Sequence, residues 1–128
     1  MAVLLNVLLV KLKKLMVTYI KTTARNLRIS PRKLRLVVKT VKNMPLPKLI
    51  EYLPLMPQKG AKMVYKTLKT AIADASHNFN LPLEKLTLDQ IKVDEGMVLK
   101  RWRAVSRGRA HGYKRRRSHL TIVLKEAN

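Results

Sequence analysis

The pattern of apolar and polar residues divides the chain into segments typical of strands and helices. Residues 17–29 are rich in β-branched and aromatic side chains and predict a first strand. A helix is predicted to follow, because Ser30 suits an N-cap, Pro31 suits the first helical position and Pro45 forbids continuation. Its apolar stripe consists of Leu34, Val37, Val38 and Val41, and its opposite face is basic.

The middle of the chain predicts two further helices. Pro47 and Pro54 bound a segment that allows only a short helix. From Pro57 to about His77, apolar residues recur at the helical period of about 3.6, which predicts the longest helix, packed across the core. The stripe consists of Ala61, Val64, Leu68, Ala71, Ile72 and Ala75.

Two more strands are predicted in the last third of the chain. The apolar face of residues 86–95 shifts by one position after Leu88, which predicts a strand with a β-bulge near Asp89 or Gln90. Residues 118–124 alternate in the period of a half-buried strand. The predicted inward face consists of Leu120, Ile122 and Leu124.

Between these strands, residues 99–119 read LKRWRAVSRGRAHGYKRRRSH, with nine Lys or Arg and no Asp or Glu. A structureless loop of that length is unusual in a compact domain. We therefore predict that the flanking strands pair and continue outward as a β-ribbon, in which Gly108 and Gly112 allow tight turns or close backbone approach. Arg and Lys bind phosphate, and Trp102 and Tyr113 offer flat faces for stacking.

The charge balance indicates the class of partner. The 128 residues suit one domain, and 28 Lys or Arg against 7 Asp or Glu give a net charge of +21. Residues 21–50 carry a second basic region without an acid. Such self-repulsion favours a polyanionic partner, with nucleic acid first. Two alternatives stay open: the charged run is a solvated basic loop, or the chain is an independent DNA-binding or membrane-binding protein.

Catalysis and metal binding have little support. The chain has no cysteine, so it has no disulfide, no thiolate nucleophile and no cysteine-based metal site, which is compatible with a reducing cytoplasm. His77, His111 and His119 are dispersed along the chain. Asp94 and Glu95 are adjacent, but they have no acid–base partner nearby in sequence and are expected to pair with arginines or cap a turn. We expect no enzyme activity, no cofactor and no metal.

Residues 1–16 form an N-terminal extension. Their apolar run is interrupted by Asn6 and followed by three lysines, so it is too short and too charged to span a bilayer. The basic residues follow the apolar run, whereas a secretory signal places them first. Met16 is a second in-frame methionine, so the extension is either an artefact of the assigned start or a poorly ordered segment, and residues 17–128 are expected to form the single domain.

A resemblance to a known family is carried by three stretches: ARNLRISPRKLRLVV at 24–38, TLKTAIADASHN at 67–78, and VDEGMVLKRW, SRGRA and KRRRSHLTIVL within 93–124. Together they closely resemble the bacterial form of the L twenty-two family of large-subunit ribosomal proteins. The resemblance implies an α+β fold in which three helices pack on a small three-stranded antiparallel sheet, with a long protruding β-hairpin at about 94–119.

The resemblance also implies the function. A member of this family is a structural constituent of the cytoplasmic large ribosomal subunit that binds large-subunit rRNA and supports subunit assembly. Its hairpin tip lines the nascent-peptide exit tunnel. The implied partners are therefore rRNA, neighbouring large-subunit proteins and the nascent peptide, without stable membrane insertion.

The expected rRNA-binding residues are mainly basic, with two aromatic and three other polar side chains: Arg25, Arg28, Ser30, Arg32, Lys33, Arg35, Lys39, Lys100, Arg101, Trp102, Arg103, Arg107, Arg109, Tyr113, Lys114, Arg115, Arg116, Arg117, Ser118 and His119. The tip expected to line the tunnel consists of Ala104, Val105, Ser106, Arg107, Gly108, Arg109 and Ala110. The chain departs from the family at Ala104 and Val105, where a Pro-Arg pair usually stands. Losing Pro frees one backbone dihedral, and losing Arg removes a charge from the tip.

Overall fold

A computed structural model of the protein describes residues 1–15 and 17–127, with only the backbone described for residues 10–15. Met16, the second in-frame methionine considered above, lies outside the described residues, as does Asn128. The helices and strands, in chain order, are α1 (Ala2–Leu15), β1 (Tyr19–Leu27), α2 (Pro31–Val41), α3 (Leu46–Tyr52), α4 (Lys59–Phe79), β2 (Leu86–Ala104) and β3 (Ala110–Glu126).

The three strands form one antiparallel sheet in the order β1-β3-β2, so β3 is central. β1 pairs only with the second half of β3, from Tyr19 opposite Lys125 to Leu27 opposite Ser118. β2 pairs with β3 along its whole length and ends with Ala104 opposite Ala110. The sheet is therefore three-stranded in the body. From Ser118 toward Ala110 it continues as a two-stranded ribbon, which confirms the predicted protruding hairpin.

The α+β class and the three helices packed on the sheet are confirmed, and the described part of the chain contains a fourth helix that was not predicted. α2, α3 and α4 pack against the sheet. The additional helix is α1, which the extension forms because its Ala, Leu and Lys residues are strong helix formers and no Gly or Pro interrupts them. None of the described helices is both long and apolar enough to cross a membrane.

The core lies between the sheet and the three packed helices. The predicted alternation in β3 is confirmed, since Leu120, Ile122 and Leu124 are fully buried. Each such side chain stabilises the fold by roughly 1.5–3 kcal/mol relative to an exposed position. The helices contribute buried residues that include Leu34, Val37, Leu49, Val64, Leu68 and Ala71.

Strand pairing between β2 and β3 is irregular at two places, one in the body and one at the base of the ribbon. A register shift between Leu88 and Gln90 confirms the predicted bulge, and a second shift between Glu95 and Val98 was not predicted. A Cβ placed on Gly96 would lie 3.1 Å from the backbone carbon and oxygen of the facing Arg117. Gly96 therefore allows a backbone approach at the base of the ribbon that a larger residue would disturb.

Candidate nucleic-acid interface

The arm, defined as residues 100–116, is the part of the ribbon that lies beyond the body, and every residue in it is exposed. β2 and β3 stay paired along it up to Ala104 and Ala110. No apolar core lies beneath the arm, so its order depends on the strand ladder alone. Its exposed cations are Lys100, Arg101, Arg103, Arg107, Arg109, Lys114, Arg115 and Arg116.

Both faces of the arm carry positive charge. Residues directly opposite each other share a face: Lys100 with Lys114, Trp102 with Gly112, Arg101 with Tyr113, and Arg103 with His111. The guanidinium carbon of Arg115 lies 5.7 Å from the centre of the Tyr113 ring, a cation–π distance. An arm with cations on both faces suits a polyanion that surrounds it, because a partner on one side would leave half of the charge unscreened.

The tip of the arm is a tight turn at Ser106–Gly108. Arg107 (φ 57°) and Gly108 (φ 70°) adopt left-handed backbone conformations in succession. The amide of Val105 donates a 2.8 Å hydrogen bond to the carbonyl oxygen of Arg109, which closes the turn. Val105 therefore contributes a backbone hydrogen bond that does not depend on its exposed side chain.

The fold brings α2 against the base of the arm. Arg32 and Arg35 of α2 line one cleft of about 320 Å³ together with Arg116 and Arg117 of β3, and we call this the root cleft. Ser30 and Glu95 also line it. Four arginines from two distant stretches of sequence thus border one cleft, together with one glutamate. Arginine is well suited to bind a phosphate group.

A second cleft of about 760 Å³, here called the lateral cleft, lies beside the first. Arg28, Lys33 and the run Lys114–Arg117 supply its predicted cations. Lys59, the first residue of α4, also lines it and was missed by the sequence analysis. Nothing in its local sequence distinguishes Lys59 from other exposed lysines, since only the packing of α4 beside α2 places it there.

The remaining predicted residues of α2 and β1 differ in their position. Arg25 and Lys39 are exposed but do not line either cleft. Arg35 donates a 3.3 Å hydrogen bond from Nη2 to the carbonyl oxygen of Val93, which holds this side chain at the base of the arm.

Asp94 pairs with Lys92 at 3.5 Å rather than with an arginine. The pair is solvent-exposed and so contributes little stability.

Two predicted rRNA-binding residues at the base of β3 are engaged within the protein. Ser118 is fully buried, and its Oγ donates a 3.0 Å hydrogen bond to the carbonyl oxygen of Ile29. Its assignment as an RNA contact is therefore corrected, because the hydroxyl ties the β1–α2 connection to the base of the arm. His119 is half-buried and accepts a 3.0 Å hydrogen bond at Nδ1 from the amide of Asn26, where β1 is irregular.

Within residues 1–15 and 17–127, no group of three or more His, Asp or Glu side chains is arranged to hold a metal ion. The interface presents a dense set of guanidinium and ammonium groups, together with aromatic rings, on a two-stranded ribbon. Such groups bind phosphates and bases.

Comparison with known proteins shows similarity over most of the chain. The profile of the family described as "Ribosomal protein L22p/L17e" matches residues 22–125. Large ribosomal subunit protein uL22 of Caldicellulosiruptor saccharolyticus is 42% identical over 104 residues, which cover 81% of this chain and 85% of that protein. The protein of the same name from Chloroflexus aggregans is 42% identical over 104 residues, which cover 81% of this chain and 92% of that protein. The matched range includes α2, α4 and the whole arm.

Proposed function

Because the chain belongs to the ribosomal protein L22p/L17e family, we propose that the arm and its two adjoining clefts form the surface that binds large-subunit rRNA. As a member of this family the protein is a structural constituent of the cytoplasmic large ribosomal subunit and belongs to a non-enzymatic class of proteins. We further propose which residues contact the RNA and how they bind it.

One observation carries the proposal: the arm is an exposed, acid-free ribbon with cations on both faces and no protein core of its own. Each phosphate that a Lys or Arg neutralises releases condensed counterions, which drives association with RNA. The α2 surface then fixes the position of the arm, since the root cleft joins α2 to the base of the ribbon. Recognition follows the shape of folded RNA rather than a base-pair sequence.

The proposed contact residues are the members of the predicted set that are not buried, together with Lys59 of the lateral cleft. Ser118 is left out because it is buried. His119 is kept through the imidazole edge opposite its Nδ1 bond to Asn26.

We also propose that the tip, residues 104–110, lines the nascent-peptide exit tunnel. The support is the family resemblance and the position of these residues at the end of the arm, where every side chain is exposed. In this proposal the body contacts neighbouring large-subunit proteins, and the protein supports assembly by holding RNA segments around the arm.

The test is the salt dependence of binding between the full chain and a fragment of large-subunit rRNA. We expect affinity to fall steeply with salt, with a logarithmic slope that decreases by roughly 0.7–0.9 for each phosphate contact removed. The double variant Arg32→Ala/Arg116→Ala, in the root cleft, is expected to show this decrease. Lys69→Ala removes an exposed cation on α4 outside both clefts, and it is expected to leave the slope unchanged.

Two results would contradict the proposal. One is an rRNA affinity that changes little between low and moderate salt, and the other is an equal loss in the Lys69→Ala control. Sedimentation with large subunits through a high-salt gradient separates the competing classes, because a stable constituent stays bound whereas an independent DNA-binding or membrane-binding protein is washed off.

A further inference from the structure

The indole ring of Trp102 lies over Gly112 on the neighbouring strand of the arm. The two residues are directly opposite each other in the strand register. A Cβ placed on Gly112 would lie 3.4–3.6 Å from three carbons of the six-membered indole ring. A Cβ at position 112 would therefore meet the ring at ordinary van der Waals distance, so the ring lies directly over Gly112.

Trp102 is nevertheless 74% exposed. Because one side of the ring is turned toward Gly112, much of the exposed area belongs to the opposite face and the ring edges. Trp102 borders a cleft of about 480 Å³ that is also lined by Arg103, His111, Tyr113 and Arg115. Tyr113 in the same cleft is 40% exposed and has Arg115 near its ring, so Trp102 presents the larger free aromatic surface.

We propose that Trp102 is a stacking platform for one unpaired RNA base, whose flanking phosphates are bound by Lys100 and Lys114, the neighbouring pair on the same face of the arm. This inference rests on the proposed rRNA binding and adds a base contact to a surface otherwise described by its charge. All four bases have a π face, so stacking on the indole is tolerant of sequence. The cations beside the ring select a polyanionic strand over an uncharged partner with aromatic groups.

A purely structural role for Trp102 makes different predictions. An aromatic ring that covers a glycine on a neighbouring strand can stabilise the ribbon without any ligand. Leucine at position 102 would still cover Gly112 with an apolar side chain but has no π face. Phenylalanine would keep both properties. Trp102→Leu and Trp102→Phe therefore separate stacking from covering.

The first experiment uses the intrinsic fluorescence of the full chain, since Trp102 is its only tryptophan. The chain is titrated with a single-stranded RNA and with an abasic strand of the same length and charge, each carrying an end label so that binding is measured separately by anisotropy. We expect the RNA to quench the emission as it binds and the abasic strand to bind with little quenching. Equal emission changes at equal occupancy would overturn the stacking proposal.

The second experiment compares variant affinities at fixed salt. Trp102→Leu is expected to weaken binding of the single-stranded RNA by about 5-fold or more, as loss of one stacked base does, with no change for the abasic strand. Trp102→Phe should keep most of the affinity. Because no phosphate contact is lost, the salt slope of Trp102→Leu should equal that of the original chain. Tyr19→Leu, which removes an exposed aromatic ring on the body, serves as the matched control.

The outcomes separate this inference from the proposed function. If Trp102→Leu binds both strands as the original chain does, the stacking proposal is wrong and rRNA binding stands. If Trp102→Leu weakens both strands equally, Trp102 serves the ribbon alone, which also overturns stacking. If the unaltered chain fails to bind rRNA at all, both proposals are overturned.

Discussion

Ser118 follows four successive cations, Lys114–Arg117, in the sequence, yet it faces the interior of the protein. Strand alternation explains this difference, because Ser118 shares its face with the fully buried Leu120. Its hydroxyl satisfies the carbonyl group of Ile29, immediately before Ser30 and α2. A side chain that directly follows a basic run thus ties the β1–α2 connection to the base of the arm.

Ser118→Ala is expected to lower the free energy of unfolding by about 1–3 kcal/mol, since the buried carbonyl of Ile29 loses its hydrogen-bond partner. Urea denaturation of the free chain measures this loss. Ser106→Ala, at the exposed tip, is the control and is expected to change stability by less than about 0.5 kcal/mol. Unchanged stability of Ser118→Ala would show that the hydrogen bond from Ser118 to Ile29 does not stabilise the fold.

At the scale of elements, the arm is separable from the body in energetic terms. None of residues 100–116 is buried, so the arm adds no side chain to the core. Trp102 and Gly112 are directly paired, so a two-residue turn can close the ribbon between them. We therefore expect replacement of residues 103–111 by Asn-Gly to leave the body folded.

The replacement should unfold in a single cooperative transition, with a free energy of unfolding within about 0.5 kcal/mol of the intact chain. Circular dichroism during urea denaturation measures both properties. rRNA affinity is expected to fall in the same variant, because Arg103, Arg107 and Arg109 are removed. A loss of cooperative unfolding would show that the tip supports the body and that the arm and the body are not energetically separate.

Elements with regular patterns could be predicted from the sequence, and so could the bulge after Leu88, because it shifts a regular apolar pattern by one residue. Periodicity predicted α2, α4 and β3 because each buries one face against a single core. The bulge after Glu95 was not predicted, because Gly96 and Met97 do not continue an alternation of apolar and polar residues. The sequence therefore shows no pattern that this bulge breaks. Most cations of the site could be predicted from their density, whereas Lys59 and the burial of Ser118 depend on contacts between segments far apart in sequence.

At the scale of the whole molecule, the net charge of +21 acts on folding and on binding in opposite directions. In the free chain the cations on α2 and the arm repel one another at close range around the root cleft. Bound to RNA, the same cations face phosphates. Salt screens both interactions, so it should stabilise the free fold while it weakens the complex.

We therefore expect the Tm of the free chain to rise as sodium chloride increases from about 0.01 M to about 0.15 M, where the Debye length shortens from about 30 Å to about 8 Å. Differential scanning calorimetry at constant pH measures the change. The variant Arg101→Gln/Arg103→Gln/Lys114→Gln/Arg115→Gln keeps the body but removes four arm cations, so its Tm should rise less.

An equal rise in Tm in both proteins would assign the effect to the body alone. A fall in Tm would mean that favourable ion pairs outweigh the repulsion. The described side chains favour the rise, because their two ion pairs, Lys92–Asp94 and Lys125–Asp89, both retain exposure to solvent.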